Sequence, residues 1–443
     1  MDTNRLSHKF TPMNLFMYSL PTIIMMIFNS TYGIIDGLFV ANFVGENALA
    51  GSNISFPILL VAIAVGMMMA TGSNALVGKF LGEGKTQEAK ELLSVIYIVA
   101  IIFGVVASTL IIMFADPLLS MMGANEVLLP YAREYLLYLT PCMTSALLQS
   151  FTQCFLITAG KPKIGFIACT IGGVANIILD YLLIVKFDMG LPGAALATGI
   201  GISISGIFGL FYFTFCRKGT LYFVKPKWHL KTLFQCFYNG MSEFVSCISG
   251  AITSVVFNII MISVAGENGV AGITVIMYVS SILSSVYFGY AMGVSPVISY
   301  KFGAQDHAQL QLVNATSKKV IAVISILALT MSIIFAPAAV GIFISPESAT
   351  FALTVEGFRI YATAFLFIGF NVFVSAMFTA LSNGMISAIV SIARTLVFIL
   401  LALLTLPFIF GINGVWIAIP VAEALGLIVS IVCYKKYQPV YNY

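Results

Sequence analysis

Two aspartates, Asp36 and Asp180, stand inside long apolar stretches, each about seven residues from the end expected to lie outside. At about 1.5 Å of rise per helical residue they share one depth, roughly 10 Å below the surface. A carboxylate held in hydrocarbon costs at least about 2.5 kcal/mol, so it faces a partner or water and marks an ion pathway. Asn176 precedes Asp180 by four residues and lies on the same helix face. Tyr32 precedes Asp36 by four and Asn29 by seven, which makes a polar stripe along one side of the first stretch. Thr198, about eight residues inside its own stretch, is level with both acids. Two carboxyls with an amide, a hydroxyl and a phenol can share a proton, because like charges in a poorly solvated layer resist being ionised together. The same oxygens can hold a partly hydrated Na⁺. Helix-to-helix hydrogen bonding is the plainer role, and it weighs most for Asn176 and Thr198.

Further charges lie embedded in the second half: Glu243, Arg394 and Glu423. An isolated arginine is expensive in an apolar interior, so Arg394 is expected to be accompanied by one of these glutamates or by a polar cluster that includes Asn371. A structural pair is one reading. The other is that Glu243 or Glu423 faces a cavity and attracts a cationic solute. Pro21 interrupts the first stretch some four turns before Asp36, and it predicts a kink there, static or linked to protonation of Asp36.

The elements that carry these residues must be membrane spans. The chain is 60% hydrophobic and 9% charged, far below the roughly 25% charged residues of a soluble domain. Twelve apolar runs recur, at about 14–43, 53–80, 92–115, 132–158, 164–187, 190–215, 233–265, 271–300, 316–343, 357–381, 385–410 and 412–434. Each reaches the roughly 20 residues that a helix needs to cross a bilayer, which predicts an all-α polytopic protein. With the N-terminus inside, cytoplasmic segments collect most of the Lys and Arg, whereas the outer side holds Arg133, Lys186 and Arg359. That bias predicts both termini in the cytoplasm. The polar N-terminus, Met1 to Asn14, lacks a cleavable leader's pattern and is expected to stay attached. The net charge of +4 is then a topology signal touching anionic membrane lipid, and no nucleic-acid role follows from it. Seven cysteines fall in or beside spans without ligand spacing, as small buried residues do.

The chain also repeats itself. Gly45-Glu46-Asn47 with Ala50-Gly51 recurs 221 residues later as Gly266-Glu267-Asn268 with Ala271-Gly272. The same offset matches Gly72 with Gly293, Gly82 with Gly303, Gly190 with Gly411 and Gly193 with Gly414. A duplicated six-helix unit follows, with both copies starting on the cytoplasmic side and so related by an axis along the membrane normal. The expected domains are an N-lobe over 1–216, a polar cytoplasmic linker over 217–232 and a C-lobe over 233–443, with a central cleft. Asp36 projects onto Phe257 and Asp180 near Leu401, so the acidic layer belongs to the first half alone.

Nothing enzymatic is evident: no Walker loop or His/Cys cluster appears, and loops of about fifteen residues or fewer leave no room for a catalytic domain. Transport must be driven by an ion gradient or by the solute's own gradient, and no cofactor is expected.

The sequence resembles the MATE family, the multidrug and toxic compound extrusion transporters. The likeness is carried by Ile35-Asp36-Gly37-Leu38-Phe39-Val40 with Gly45-Glu46-Asn47-Ala48-Leu49-Ala50-Gly51, by Thr158-Ala159-Gly160-Lys161-Pro162, by Asn176-Ile177-Ile178-Leu179-Asp180 and by Gly193-Ala194-Ala195-Leu196-Ala197-Thr198. It is similar to the branch that includes the DinF-like and MepA-like bacterial exporters. The resemblance implies cation-driven efflux of drugs or metabolites across a bacterial inner membrane, with Asp36, Asn176, Asp180 and Thr198 as the N-lobe cation site. It also implies bending of the first helix at Pro21. A sodium-coupled branch has a carboxylate in the tenth span where Asn371 stands here, which removes a ligand from any C-lobe cation site and leaves Glu243 without an assigned role. The reading that emerges is a monomeric antiporter, driven by H⁺ or Na⁺, for small and often cationic organic solutes. The alternatives are a lipid-linked oligosaccharide flippase, which would need several basic residues in its cleft, and a membrane transferase, which would need motif-bearing loops.

Overall fold

The computed structural model describes residues 5–443, apart from the side chains at 41, 46, 47, 49 and 349. Residues 1–4 of the polar N-terminus and the Glu46, Asn47 and Leu49 side chains of the repeated motif therefore lie outside the described residues. Helices make up the fold, and no strand occurs among the described residues. In chain order α1 is Pro12–Phe43, α2 is Glu46–Gly82, α3 is Thr86–Met113, α4 is 129–158, α5 is Pro162–Lys186 and α6 is Gly190–Phe215. The 74-residue helix Leu230–Gly303 is divided at Gly266, where φ is 63° and ψ is −157°, into α7 and α8. α9 is His307–Gly341, α10 is Thr350–Ala380, α11 is Gly384–Phe410 and α12 is Ile412–Tyr441. The twelve expected spans are all present.

Local chemistry explains the boundaries. Pro12 and Pro162 open α1 and α5, where a missing N–H costs nothing. Asp306 and Asn383 cap α9 and α11 by accepting from the amides of Gln309 and Ile386. The turns after α1, α5, α7 and α11 need left-handed backbone, and glycines 45, 190, 266 and 411 supply it, with φ of 116°, 61°, 63° and 58°. These are two pairs at the 221-residue offset, so the repeat extends to backbone geometry. The 3₁₀ turns that interrupt α4 at Thr140–Cys142 and α10 at Ala362–Ala364 are likewise nearly equivalent. Large apolar side chains such as Ile102, Val105, Ile326 and Ile334 are exposed along α3 and α9, as lipid-facing helix surfaces require.

The helices form two compact units, whose limits differ from the halves of the repeat. The first contains residues 5–9, 24–240 and 299–305 of the described chain, and the second 10–23, 241–298 and 306–443. Each unit thus includes the start of the other repeat's first span. In the first unit Gly72 lies against the backbone at Cys236 and Gly240, and in the second Gly293 lies against Ser19 and Thr22. The segment 217–232 is fastened to α3 within the first unit. There Phe223 meets the Tyr97 ring with centroids 5.0 Å apart, the Val224 amide donates to Ser94 Oγ at 2.9 Å and Lys227 pairs with Glu91 at 3.0 Å. Tyr222 adds a contact with Lys90, whose ammonium lies 3.8 Å from the ring centroid and holds the phenol below its ordinary titration range by hydrogen bonding and charge.

Candidate ion-binding site

Three helices of the first unit deliver the four polar groups. α5 and α6 cross at glycines: a Cβ added to Gly172 would lie 2.4 Å from the Gly201 carbonyl oxygen, and one added to Gly201 would lie 2.8 Å from the Asn176 Cβ. Only small residues permit so close a crossing. α1 is seated on α5 in the same manner, since a Cβ on Gly173 would lie 2.4 Å from the Phe28 ring and 3.1 Å from that of Tyr32. The consequence is a chain of contacts at one depth. Asn176 Nδ2 reaches Thr198 Oγ1 at 3.5 Å, and Thr198 Oγ1 donates to Asp36 Oδ1 at 3.1 Å.

Asp180 completes the layer differently. It is fully buried, and neither of its carboxylate oxygens meets a hydrogen-bond donor among the described residues. The Asn176 carbonyl oxygen is also buried without a partner. Asp36 and Asp180 are close enough for one carboxyl to hydrogen-bond the other when a proton is present. Two unit charges about 4 Å apart repel by about 4 kcal/mol at an effective dielectric of about 20. That repulsion disappears when a single positive charge is taken up between them. The donor set consists of hard oxygens, two carboxylates with one hydroxyl and one amide carbonyl, which suits H⁺ or Na⁺ and not a thiolate- or imidazole-preferring metal.

Above and below, the layer is bounded in contrasting ways. One helical turn toward the end expected to be outside stand Val40, Ile184 and Ala194, four residues from Asp36, Asp180 and Thr198 respectively, and all three are buried in one apolar cluster. On the opposite side Tyr32 interacts with Gln149, and Asn29 presents a buried carbonyl oxygen without a partner. Three features were absent from the sequence reading. Tyr135 of α4 is buried within electrostatic reach of both aspartates, Gln149 joins the Tyr32 stripe, and α5 widens into a π turn over Tyr181–Lys186 directly after Asp180. A polar pattern on α4 would have pointed to Gln149. The π turn has no comparable sequence signal. Pro21 lies within the helical part of α1, between the hydroxyls of Ser19 and Thr22, which bond back to carbonyls of the preceding turn.

The embedded charges of the other half gather in the second unit. Arg394, on a π turn at Ala393–Val397 of α11, donates to Glu423 Oε1 at 2.8 Å. Asn371 Nδ2 donates to Glu423 Oε2 at 2.7 Å, and Ser430 Oγ to Asn371 Oδ1 at 2.7 Å. Arg394 thus pairs with Glu423, whose other carboxylate oxygen is held by Asn371. Glu243 is half-buried and makes no direct ion pair among the described residues, although Arg394 acts on it through space.

Comparison with known proteins agrees with this architecture. The family model MatE matches residues 21–182 and 244–404, one match in each half. The multidrug export protein MepA of Staphylococcus saprophyticus is 24% identical over 415 residues, covering 92% of this chain and 90% of the relative. MepA of a Staphylococcus aureus strain is 24% identical over 413 residues, with the same coverage. Among solved structures, an outward-facing multidrug resistance MATE transporter of the MOP superfamily superimposes with a TM-score of 0.93 at 22% identity, over 100% of this chain and 99% of that one. The Vibrio cholerae MATE transporter VcmN gives 0.90 at 18% identity, over 97% of both chains.

Proposed function

The chain belongs to the MATE family of integral membrane transporters, and from that premise we propose that it exports small organic solutes, often cationic, in exchange for H⁺ or Na⁺ taken up at Asp36 and Asp180. The relatives named as multidrug export proteins support the substrate class. The observation that carries the coupling is the state of Asp180: a fully buried carboxylate with no donor on either oxygen among the described residues, beside a second acid. Such a pair is strongly destabilising as two bare charges and is relieved by one cation.

In this reading the ion acts on α1. With Asp36 ionised, its carboxylate accepts from Thr198 and holds α1 to α6. A proton or Na⁺ shared with Asp180 removes that negative charge and changes what α1 is held by, and Pro21 supplies a point at which α1 can bend. Occupancy at the acids thereby selects between conformations, because an ion that binds one conformation better must populate it. The organic solute competes through the same equilibrium. Of the two intramembrane glutamates, Glu423 is already neutralised by Arg394, which leaves Glu243 as the acid in the second unit suited to attract a cationic solute.

The same pairing argues against a flippase of lipid-linked oligosaccharides. Arg394 is the intramembrane base that reading would rely on, and Glu423 occupies it. The proposed orientation in the bacterial cytoplasmic membrane has both termini inside, a reading that the distribution of Lys and Arg supports.

Transport by purified protein in liposomes, with proton and sodium gradients imposed separately, tests the reading. One gradient should drive accumulation of a fluorescent cation such as ethidium, and Asp36→Asn should abolish it. Equal transport by wild type and Asp36→Asn under either gradient would overturn the coupling assignment.

A further inference from the structure

The polar centre of the second unit is built, not incidental. α10 supplies Asn371, the π turn of α11 supplies Arg394, and α12 supplies Glu423 and Ser430. All four are buried, and each Glu423 carboxylate oxygen has its own donor, Arg394 at 2.8 Å and Asn371 at 2.7 Å. Gly426 lets the three helices close, since a Cβ there would lie 2.8 Å from the Arg394 Cβ and 3.2 Å from Asn371 Nδ2. Arg394 Nε is buried without a hydrogen-bond partner among the described residues.

The repeat shows what the arginine replaces. At the 221-residue offset Arg394 corresponds to Gly173, whose missing side chain is where the Phe28 and Tyr32 rings sit. No arginine can enter the first unit at that position, and its buried acid keeps two oxygens without donors. The second unit has the arginine, and each oxygen of its buried acid has a donor.

We propose that the Arg394 guanidinium is a tethered counter-cation, filling in the second unit the place that an exchangeable ion takes in the first. Glu423, Asn371 and Ser430 together are then a site for a guanidinium-class monovalent cation that the chain occupies with its own side chain. Its presence confines ion coupling to Asp36 and Asp180. The last point rests on the function proposed above, whereas the site itself does not.

The charged groups facing Arg394 are Glu423 from α12, in contact, and Glu243 from α7, through space; Asn371 and Ser430 are neutral. Removing the guanidinium leaves Glu423 with an oxygen that needs a cation. The test is thermal unfolding of the purified full-length protein in detergent, with methylguanidinium chloride against choline chloride at equal ionic strength. Arg394→Ala should unfold roughly 5–10 °C below wild type and recover most of that loss in methylguanidinium alone. Wild type, Arg394→Lys and the double variant Arg394→Ala, Glu423→Gln should show no gain specific to methylguanidinium. A double variant that gains as much as Arg394→Ala would overturn the site, and so would an Arg394→Ala protein that neither cation distinguishes.

Where Arg394→Ala does not fold in choline, expression and purification in methylguanidinium is the readout. Folding there, and not in choline, supports the site; folding in neither overturns it. In liposomes, Arg394→Ala supplied with methylguanidinium should couple to the driving ion with wild-type steepness, and without it with a steeper dependence. Unchanged steepness while Asp36→Asn still abolishes transport would sink the confinement of coupling alone. Retained transport in Asp36→Asn would sink the coupling reading and leave the site standing.

Discussion

The two halves of this chain repeat one scaffold, yet they treat a buried carboxylate in opposite ways. In the first unit Asp180 has no donor among the described residues and lies beside another acid. In the second, Glu423 has a donor for each oxygen and an arginine to cancel its charge. Both centres sit at a π turn, at Tyr181–Lys186 in α5 and Ala393–Val397 in α11, the equivalent spans of the two repeats. The turns are not at equivalent positions within those spans, so the repeat alone does not account for both. An unsatisfied charge is a cost that persists where function uses it, and a satisfied pair is a fixed part of the packing. Duplication supplied two interiors, and in the function proposed here one takes up an ion while the other is neutralised from within.

The contrast is broken most completely by neutralising both acids of the first unit. Asp36→Asn, Asp180→Asn should reduce ethidium efflux from energised cells to that of cells lacking the transporter, while the protein inserts normally. Its thermal stability should rise when measured at alkaline pH without Na⁺, where both acids are ionised, because two bare buried charges become neutral amides. The mirror experiment is Glu423→Gln, which strands Arg394 and should cost about 3–5 kcal/mol of stability. One change removes activity and adds stability; the other chiefly removes stability. Unfolding midpoints and efflux measured on the same preparations decide it, and the same sign of stability change for both would erase the distinction.

Much of the acid layer is legible in the sequence, for a physical reason. Depth in a membrane is counted along the chain at a constant rise, so Asp36, Asp180 and Thr198 could be placed at one level, and the four-residue spacing put Asn176 with Asp180. The twelve spans were legible by the same logic of length and apolarity. Their details were not: α7 and α8 adjoin at a kink where Gly266 leaves helical geometry, and α4 and α10 are each interrupted by a 3₁₀ turn. Which glutamate Arg394 takes depends on how α11 meets α12, and spacing along one helix says nothing about that. Tyr135 stayed hidden because its α4 position reads as one more buried aromatic. The limits of the compact units were hidden as well, since residues 10–23 leave no local sign that they group with the second repeat.

The next effect in size concerns how the layer is assembled. Gly201→Val places two branches where a single Cβ already comes within 2.8 Å of the Asn176 Cβ and of the Gly172 carbonyl oxygen. α5 and α6 must separate, so Asn176 and Asp180 move away from Thr198. Efflux should fall by about tenfold or more, a loss of the size expected when a packed crossing is forced off its geometry. Gly201→Ala should lie between the variant and wild type. Gly250, with open space around it, is the control for glycine replacement in a span, and Gly250→Ala should leave efflux unchanged. Concentration dependence of the driving ion in liposomes separates weakened ion binding from a general loss of transport.

The smallest change that still tests the comparison is at Thr198. Its hydroxyl donates to Asp36 at 3.1 Å and is reached by Asn176 at 3.5 Å. Thr198→Val keeps the side-chain shape and deletes both contacts, whereas Thr198→Ser keeps the hydroxyl. A hydrogen bond to an ionised group contributes about 1.5–3 kcal/mol, so the ionised Asp36 should lose about that much stabilisation in Thr198→Val. The two candidate ions then diverge in sign. A proton needs only the carboxyls, and an Asp36 less well solvated by Thr198 takes up a proton more readily, so half-maximal coupling should shift to higher pH. Na⁺ needs the oxygens as ligands, and losing one should raise the Na⁺ concentration for half-maximal transport by about tenfold. Measured side by side in liposomes, this one substitution identifies the ion by the direction of its effect. A half-maximal point unchanged in both gradients would remove Thr198 from the site and reduce it to the acid pair with Asn176.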